Sequence, residues 1–580
     1  MCGICGFAGF EDSSLLKRMI KTLQHRGPDD SGTFFDKNIS LGHTRLSIID
    51  LSKAGHQPMS NEQGNIWISF NGEIYNHREL RAKLEKKHKY KSKTDTETII
   101  HQYEQEPKTF LQKLNGMYAL AIYDSKQKKL TLARDKIGIK PLYYAFVNDG
   151  IIFASEIKAL LECKEIGKKL NKNSVDSYLV WQCVPGNETI LERIFKLEPG
   201  CFLEFEKGKK ARIQKYWEFT SEIESGAIDS NSKLVQNAVE ESIERQLMSD
   251  VPLGVFLSGG IDSSIVAASV RKFTQNIKTF SAGFNESDDE LEFARLISEF
   301  YGTNHEEFYF SQKDLMKNFE DFVWHLDEPL ADSGAVPTFL LSKQAKKQVS
   351  VVLTGEGADE LFAGYRAQRL MAGQAFIIPQ AAKLKAYFYL NTFANSRKLS
   401  KLAGRNVAER EFQKFKNAFL AEKAGNILDK TLAFEIHNNL PNNLLMKVDK
   451  TTMASALEAR VPFLDDEVVK LASEIPSAQK ASAFEGKLVL KKAFKNRVPE
   501  KVLKRKKHGF IVPWNSWFKQ GFKEFAEGIV LDSRNELDEV LDLKGFGEFF
   551  KQDSRLGRTE NESLAWRLTL LKEWCSVFLD

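Results

Sequence analysis

The chain has 580 residues, too many for one compact core, so two or more domains are expected. A net charge of +5 and a pI near 8.5 fall short of the basic footprint of a nucleic-acid binder, and no apolar run approaches the ~20 residues that span a bilayer. Cysteines at only six positions, 2, 5, 163, 183, 201 and 575, argue against a disulfide framework, and with no basic region ahead of the first apolar residues a cytoplasmic protein is expected.

Met1-Cys2-Gly3 opens the chain, and a small second residue generally permits removal of the initiator methionine. Cys2 would then carry a free α-amine, which titrates near 7.7–8.0, so on the order of 10% is free base at pH 7, against well under 0.1% of a lysine. Such an amine serves as general base to its own thiol without a histidine partner. Cys2 and Cys5 also spell C-x-x-C, the spacing of redox and zinc pairs, but no second such pair supplies further ligands.

Apolar residues at helical spacing predict a helix over 13–24, ended by the turn-forming His25–Asp29. Strand-like runs follow around Leu46–Ile49 and Ile66–Phe70, the second broken at Asn71-Gly72, which reads as a hairpin turn or as an oxyanion hole made of an amide side chain and a backbone N–H. Asp95 stands before a helical segment as a natural N-cap. Runs at Met117–Tyr123, Leu130–Ala133, Leu142–Val147 and Ile151–Ala154 make the first half strand-rich, as in stacked sheets flanked by helices. A polar stretch after Tyr216-Trp217 reads as a connection between domains.

The second half begins with a helix at 234–247 and then Val255-Phe256-Leu257, Ser258-Gly259-Gly260-Ile261-Asp262-Ser263-Ser264 and a further helix, the order strand, glycine turn, helix. Glycines let the backbone turn tightly against a ligand, and the amides of the helix's first turn favour an anion. A phosphate loop of the common kind has a lysine where Asp262 stands; a carboxylate beside phosphates implies bridging Mg²⁺. Strand-like and helix-like runs then alternate to Val349–Val352, which means a parallel sheet with ligands at the carboxyl ends of its strands. Glu356 and Asp359 follow one such end and share a face if that segment is helical. Asp262 and Asp359 are then a pair of Mg²⁺ carboxylates. The basic run Lys504–Lys507 reads as a solvated face or a contact near a triphosphate, and the chain from 406 onward is helical scaffold.

Cys2-Gly3-Ile4, His25–Asp29, Arg45–Ile48, Asn71–Asn76, Arg134-Asp135, Lys140–Tyr143 and Ala154–Glu156 resemble class II glutamine amidotransferase domains, and Ser258–Ser264 resembles the pyrophosphate loop of ATP pyrophosphatases. With Asp327–Pro329, Leu353–Tyr365, Val448–Asp465, Lys487–Leu490 and Arg505–Phe510, nearly the whole chain is similar to glutamine-dependent asparagine synthetases in that family's domain order. The resemblance implies an αββα N-terminal-nucleophile sandwich over residues 1–215, a linker over 216–232, and over 233–580 a doubly wound parallel α/β domain with a helical C-terminal extension. It implies that Cys2 attacks the glutamine amide, that Arg45 holds the glutamine carboxylate, that Asn71 and Gly72 form the oxyanion hole, and that Glu73 and Asp95 complete the pocket. Leu257, Ser258, Gly259, Gly260, Asp262, Ser263, Ser264, Ala282, Thr354 and Gly355 would surround ATP, Glu356 would take a proton from attacking ammonia, and Lys487 would neutralise the departing pyrophosphate.

The expected reaction turns L-aspartate, glutamine and Mg-ATP into L-asparagine, glutamate, AMP and pyrophosphate, with no nucleic-acid or membrane partner; the family leaves room for a homodimer. Because these motifs read ATP and glutamine but not the acceptor, the same machinery acting on another carboxylate, such as a sugar uronate, is the second reading. A non-catalytic descendant is disfavoured by the joint presence of Cys2, Asp262, Glu356, Asp359 and Lys487. Cys5 is the local oddity, with a strained Cys2–Cys5 disulfide as the weaker alternative.

Overall fold

Two six-stranded sheets make the first half in the computed structural model, which describes residues 1–37, 39–221, 226–284, 291–372, 379–392, 396–506, 512–532, 534–546 and 555–579. The first sheet runs, in spatial order, Phe195–Lys196, Tyr143–Val147, Gly150–Ala154, Gly3–Ala8, Ile39–Arg45 and Asp30–Asp36; the second runs Arg212–Lys215, Cys201–Glu206, Lys129–Arg134, Gly116–Asp124, Ile66–Ile74 and Met59–Ser60. All pairings within them are antiparallel. Alternation along the strands explains the layering. In Gly3–Ala8, Ile4 and Ala8 point between the sheets toward Ala119, Ala121 and Leu132, while Cys5 and Phe7 point outward to Leu15, Leu16 and Met19 of the helix Ser13–Thr22. That helix starts where the Asp12 carboxylate accepts from the Leu15 amide, and each apolar side chain it buries contributes roughly 1.5–3 kcal/mol. Helices His77–Leu84 and Asp95–Gln105 cover the outer face of the second sheet, which completes an αββα sandwich.

The third sheet is parallel throughout, in the spatial order Asn304–Tyr309, Lys278–Gly283, Leu253–Phe256, Val351–Leu353 and Glu458–Arg460. Its first strand in sequence, Leu253–Phe256, lies beside its fourth, Val351–Leu353, so the chain winds outward in both directions from that pair. Helices Ile228–Gln246, Ile261–Phe273 and Leu291–Tyr301 adjoin one another around it, as do Ala335–Ala345 and Leu445–Met453. The C-terminal helix Arg555–Phe578 packs on Phe319–Leu326 and reaches back to Lys172–Trp181 of the first half.

Four local expectations are corrected. Leu46–Ile49 is loop, because the strand ends at Arg45, whose guanidinium holds the following carbonyls. Asn71-Gly72 is not a hairpin; the strand continues to Ile74, with Gly72 opposite Tyr118, so that a Cβ at Gly72 would meet the Met117 carbonyl at 2.1 Å. Thr94, not Asp95, caps its helix, which frees the Asp95 carboxylate to accept from the Ile74 amide at 2.8 Å. The polar stretch after Trp217 is already helical from Ile228, where Asn231 donates to Gln479 and Ser232 to the Asp229 carbonyl.

The two halves share their cores. Met1, Leu46, Ile48, Tyr75, Met117, Ile137 and Ile139 lie in one apolar cluster with Val255, Leu257, Val351 and Leu353 of the parallel sheet. Beside this cluster runs a band of buried ion pairs: Arg26 to Glu156 (2.8 Å) and Asp449 (2.9 Å), Lys158 to Glu156 (2.6 Å), and Lys450 to Asp327 (2.9 Å). Charges so buried are tolerable only when paired, which fixes the halves in one register.

Candidate functional site

The strand Glu458–Arg460 is linked to two pockets: Glu458 lines one, and the Arg460 carbonyl accepts from Thr354, which lines the other. The first is a slot of about 30 Å³ lined by Met1, Cys2, Arg45, Gly72, Glu73 and Asp95 among others. The Cys2 amide donates to Asn71 Oδ1 at 2.9 Å, and this contact leaves Asn71 Nδ2 buried without a hydrogen-bond partner. An unpaired buried donor beside a thiol is what a developing oxyanion needs. Burial pushes the Cys2 thiol up, opposed by the neighbouring N-terminal ammonium and by Arg45. Arg45 donates to the carbonyls of Asp50 (2.5 Å), Ser52 (2.9 Å) and Ile49 (3.4 Å), which folds the 46–52 loop over the slot and leaves other N–H groups of the five-donor fork for a ligand. Burial, with Asp95 beside it, holds the Glu73 carboxyl well above the carboxylate range; burial likewise raises Asp95 to about 6, against the amides of Ile74 and Thr96.

Cys5 takes no part in this slot. None of the six cysteines is in a disulfide, and Cys5 lies against the helix Ser13–Thr22, on the side of its strand away from Ile4; burial alone raises its thiol. The matching Arg134-Asp135 is scaffold: the Asp135 carboxylate accepts the amides of Ile137, Gly138, Ile139 and Lys140, and Arg134 donates to three carbonyls.

The second pocket, about 960 Å³, opens where the parallel sheet reverses its winding, at the carboxyl ends of Leu253–Phe256 and Val351–Leu353. Leu257, Ser258, Gly260, Asp262, Ser263, Ala282, Thr354, Gly355, Glu356, Asp359 and Lys487 all line it. Gly259 and Ser264 do not. Gly259 supplies the turn instead, with φ +70° and no room for a Cβ, which would sit 2.5 Å from the Ala294 amide; Ser264 is buried behind the helix start, its amide bonded to the Gly260 carbonyl. Glu356 and Asp359 do not share a helical face, because the helix starts only at Ala358 after Gly357 turns at φ +91°.

The Lys487 ammonium lies 2.6 Å from both oxygens of Asp262 and 2.6 Å from Asp359 Oδ1. The two carboxylates therefore converge on one cation position. Gly364 makes room for them, since a Cβ there would overlap Asp359 Oδ1. Hard carboxylate oxygens facing a common point suit Mg²⁺, so the donor set fits that ion. Lys504, Arg505 and Lys506 also line the cavity, with Arg505 donating to the Gly259 carbonyl at 3.1 Å; Lys507–Phe510 lie outside the described residues.

Two residues without a role in the sequence reading stand out here. Lys447 lies 3.7 Å from Glu356 and 3.4 Å from Asp332. Arg460, fully buried, pairs with Glu73 of the slot at 3.2 Å while its own carbonyl accepts from Thr354 at 2.9 Å, so one residue touches both sites. Arg460 falls inside a matched stretch, but only the fold shows where it points.

The family model "Asparagine synthase" matches residues 234–576, and "Glutamine amidotransferase domain" matches residues 1–217. A Bacillus subtilis protein named "Asparagine synthetase [glutamine-hydrolyzing] 1" is 33% identical over 625 residues, covering 100% of this chain and 97% of its own. A Methanocaldococcus jannaschii protein named "Putative asparagine synthetase [glutamine-hydrolyzing] 2" is 33% identical over 520 residues, 80% of this chain and 100% of its own. Among solved structures, a glutamine phosphoribosylpyrophosphate amidotransferase from B. subtilis is similar at TM-score 0.30 and 16% identity over 53% of this chain and 65% of that one, too remote to bear on the fold. Among the described residues no helix is long and apolar enough to cross a membrane. With both halves matched in order and relatives at this identity along its length, the chain belongs to the glutamine-hydrolysing asparagine synthetase family of ATP-dependent carbon–nitrogen ligases.

Proposed function

We propose that this enzyme makes L-asparagine from L-aspartate, taking nitrogen from glutamine at Cys2 and activating the acid with ATP in the cavity below Gly259. The observation that carries the reading is that a thiol beside an unpaired amide donor lines one pocket, a Lys487–Asp262–Asp359 cluster lines the other, and Arg460 touches residues of both. After loss of Met1, the α-amine of Cys2 takes the thiol proton, and sulfur attacks the glutamine amide carbon. Asn71 Nδ2 and the Gly72 amide receive the charge on oxygen, while Arg45 orients the substrate carboxylate and Glu73 with Asp95 its ammonium. Collapse expels ammonia, and water cleaves the thioester to glutamate.

In the cavity the aspartate side-chain carboxylate attacks the α-phosphorus, giving an acyl adenylate and pyrophosphate; ammonia attacks the acyl carbon, Glu356 accepts its proton, and AMP leaves. Ser258, Ser263 and the first-turn amides after Gly260 bind phosphate oxygens, and Lys487 offsets charge on the pyrophosphate. Asp262 and Asp359 would hold Mg²⁺, which when bound screens the triphosphate charge. A carboxylate is a poor electrophile and ammonium no nucleophile, so activating the acid and shielding free ammonia are both required.

Incubation with glutamine, Mg-ATP and aspartate tests this. Asparagine, AMP and glutamate in equal amounts are expected; glutamate release with no aspartate-dependent AMP would overturn the choice of acceptor.

A further inference from the structure

Away from both pockets, the outer layer of the first half brings four metal-ligating side chains together. His101 and Glu104 lie one turn apart on the helix Asp95–Gln105, His88 follows the helix His77–Leu84, and Glu62 sits in the turn between Met59–Ser60 and Ile66–Ile74. The Nδ1 atoms of both histidines face the same two carboxylates. His101 Nδ1 is 2.9 Å from Glu104 Oε2 and 3.8 Å from Glu62 Oε2; His88 Nδ1 is 3.5 Å from Glu104 Oε2 and 3.6 Å from Glu62 Oε1. A tetrahedral zinc site with ligands about 2.0–2.2 Å from the ion has edges of about 3.3 Å, and these four distances bracket that value.

The surroundings behave like the supports of a metal site. His101 is 1% exposed, and its other nitrogen is turned toward Glu97 Oε1, 3.9 Å away, without a hydrogen-bond partner. Asn61 Nδ2 donates to Glu104 Oε1 at 2.8 Å, and the Lys89 amide donates to Glu62 Oε1 at 2.9 Å, so both carboxylates are oriented from behind. The imidazoles stack at 4.3 Å and 24°.

We propose that Glu62, His88, His101 and Glu104 form a structural zinc site clamping the helix that begins at Asp95 to the 60–65 turn and the 85–94 segment. Two imidazoles with two carboxylates select zinc over Mg²⁺ or Ca²⁺. The ion ties down the helix whose first residue faces the glutamine pocket.

The full chain, stripped with a chelator, is titrated with Zn²⁺ by calorimetry and with Co²⁺ by absorption, beside His88→Gln and Glu62→Gln. About one zinc per chain, weakened at least 100-fold in either variant, a zinc-dependent rise of several degrees in Tm confined to the wild type, and cobalt bands of a tetrahedral site lacking thiolate charge transfer are expected. No uptake at 100-fold excess zinc, equal uptake by wild type and both variants, or a thiolate band assigning the ion to cysteine would overturn the proposal. Glu62 is exposed and His88 partly so, and native Tm without zinc in the variants separates lost binding from lost folding.

Discussion

Arg460→Lys probes the residue shared by the two pockets. The fully buried guanidinium donates to Glu458 at 2.7 Å, to Glu73 at 3.2 Å, and to the carbonyls of Gln246 and Met248, both at 2.6 Å. An ammonium keeps the charge but has three donors and no planar fork, so at least one charged contact and one carbonyl lose their partner. Each charged hydrogen bond is worth about 1.5–3 kcal/mol, which puts the loss near 3 kcal/mol and the fall in Tm at several degrees. The effect on chemistry is separate. Arg460 opposes the upward push that burial and Asp95 exert on Glu73, so losing its full contact pushes the Glu73 carboxyl further up and, on the role proposed for it, weakens the grip on the glutamine ammonium. The KM for glutamine should rise about 10-fold or more, while synthesis from ammonium salts, which bypasses Glu73, keeps most of its rate. Scanning calorimetry and parallel assays of glutamate and asparagine read both effects. A Tm within one degree of wild type together with an unchanged glutamine KM would refute the reasoning.

Cys2→Ala should abolish glutamine use, at least about 10³-fold, yet leave ammonia-dependent synthesis within a few-fold; loss of both activities in the folded variant would contradict two separable sites. Lys487→Met leaves Asp262 and Asp359 facing each other, and pyrophosphate release should drop about 10²–10³-fold, with glutaminase activity retained. The Asp95 carboxyl is raised by burial to about 6, so it contributes stability that is full below its ordinary range near 3.8 and lost as pH rises through 6. On the role proposed for Asp95, glutamine binding needs the ionised form, so the glutamine KM should climb as pH falls from 7 to 5, and Asp95→Asn should flatten that profile. Gly259→Ala forces a side chain onto φ +70° against the Ala294 amide, and a lower Tm with a raised KM for ATP is expected, measured by calorimetry and AMP formation.

Much of the fold was legible because its signals are local. Alternation at Met117–Tyr123 and helical spacing over 13–24 each reflect one buried face, and glycines at 259 and 260 mark a turn whichever partner they meet. Leu46–Ile49 misled because its apolar residues are buried by the second half of the chain, not by a neighbouring strand. Asn71-Gly72 misled for a related reason: the pair looks like a hairpin turn, but the Gly116–Asp124 strand runs alongside it and keeps it extended. The proposed site residues come from separate motifs. Their meeting, above all Lys487 between Asp262 and Asp359 from segments about a hundred or more residues apart, depends on the crossovers of the parallel sheet and is invisible along the chain. The same holds for Arg460 against Glu73 and for the His88–His101 pair, whose partners come from three elements.

Met1 is 1% exposed, and its ammonium lies 2.9 Å from Glu458. A thiol that is to use its own amine must first lose this residue, and a trimming peptidase needs a loose, extended N-terminus in its cleft. Glu458 is made 457 residues later, and at ~5–20 residues per second a ribosome takes roughly 20–90 s to reach it. On the role proposed for Cys2, maturation would have a deadline set by translation: trimming would have to act on the nascent chain, before Met1 is buried against Glu458.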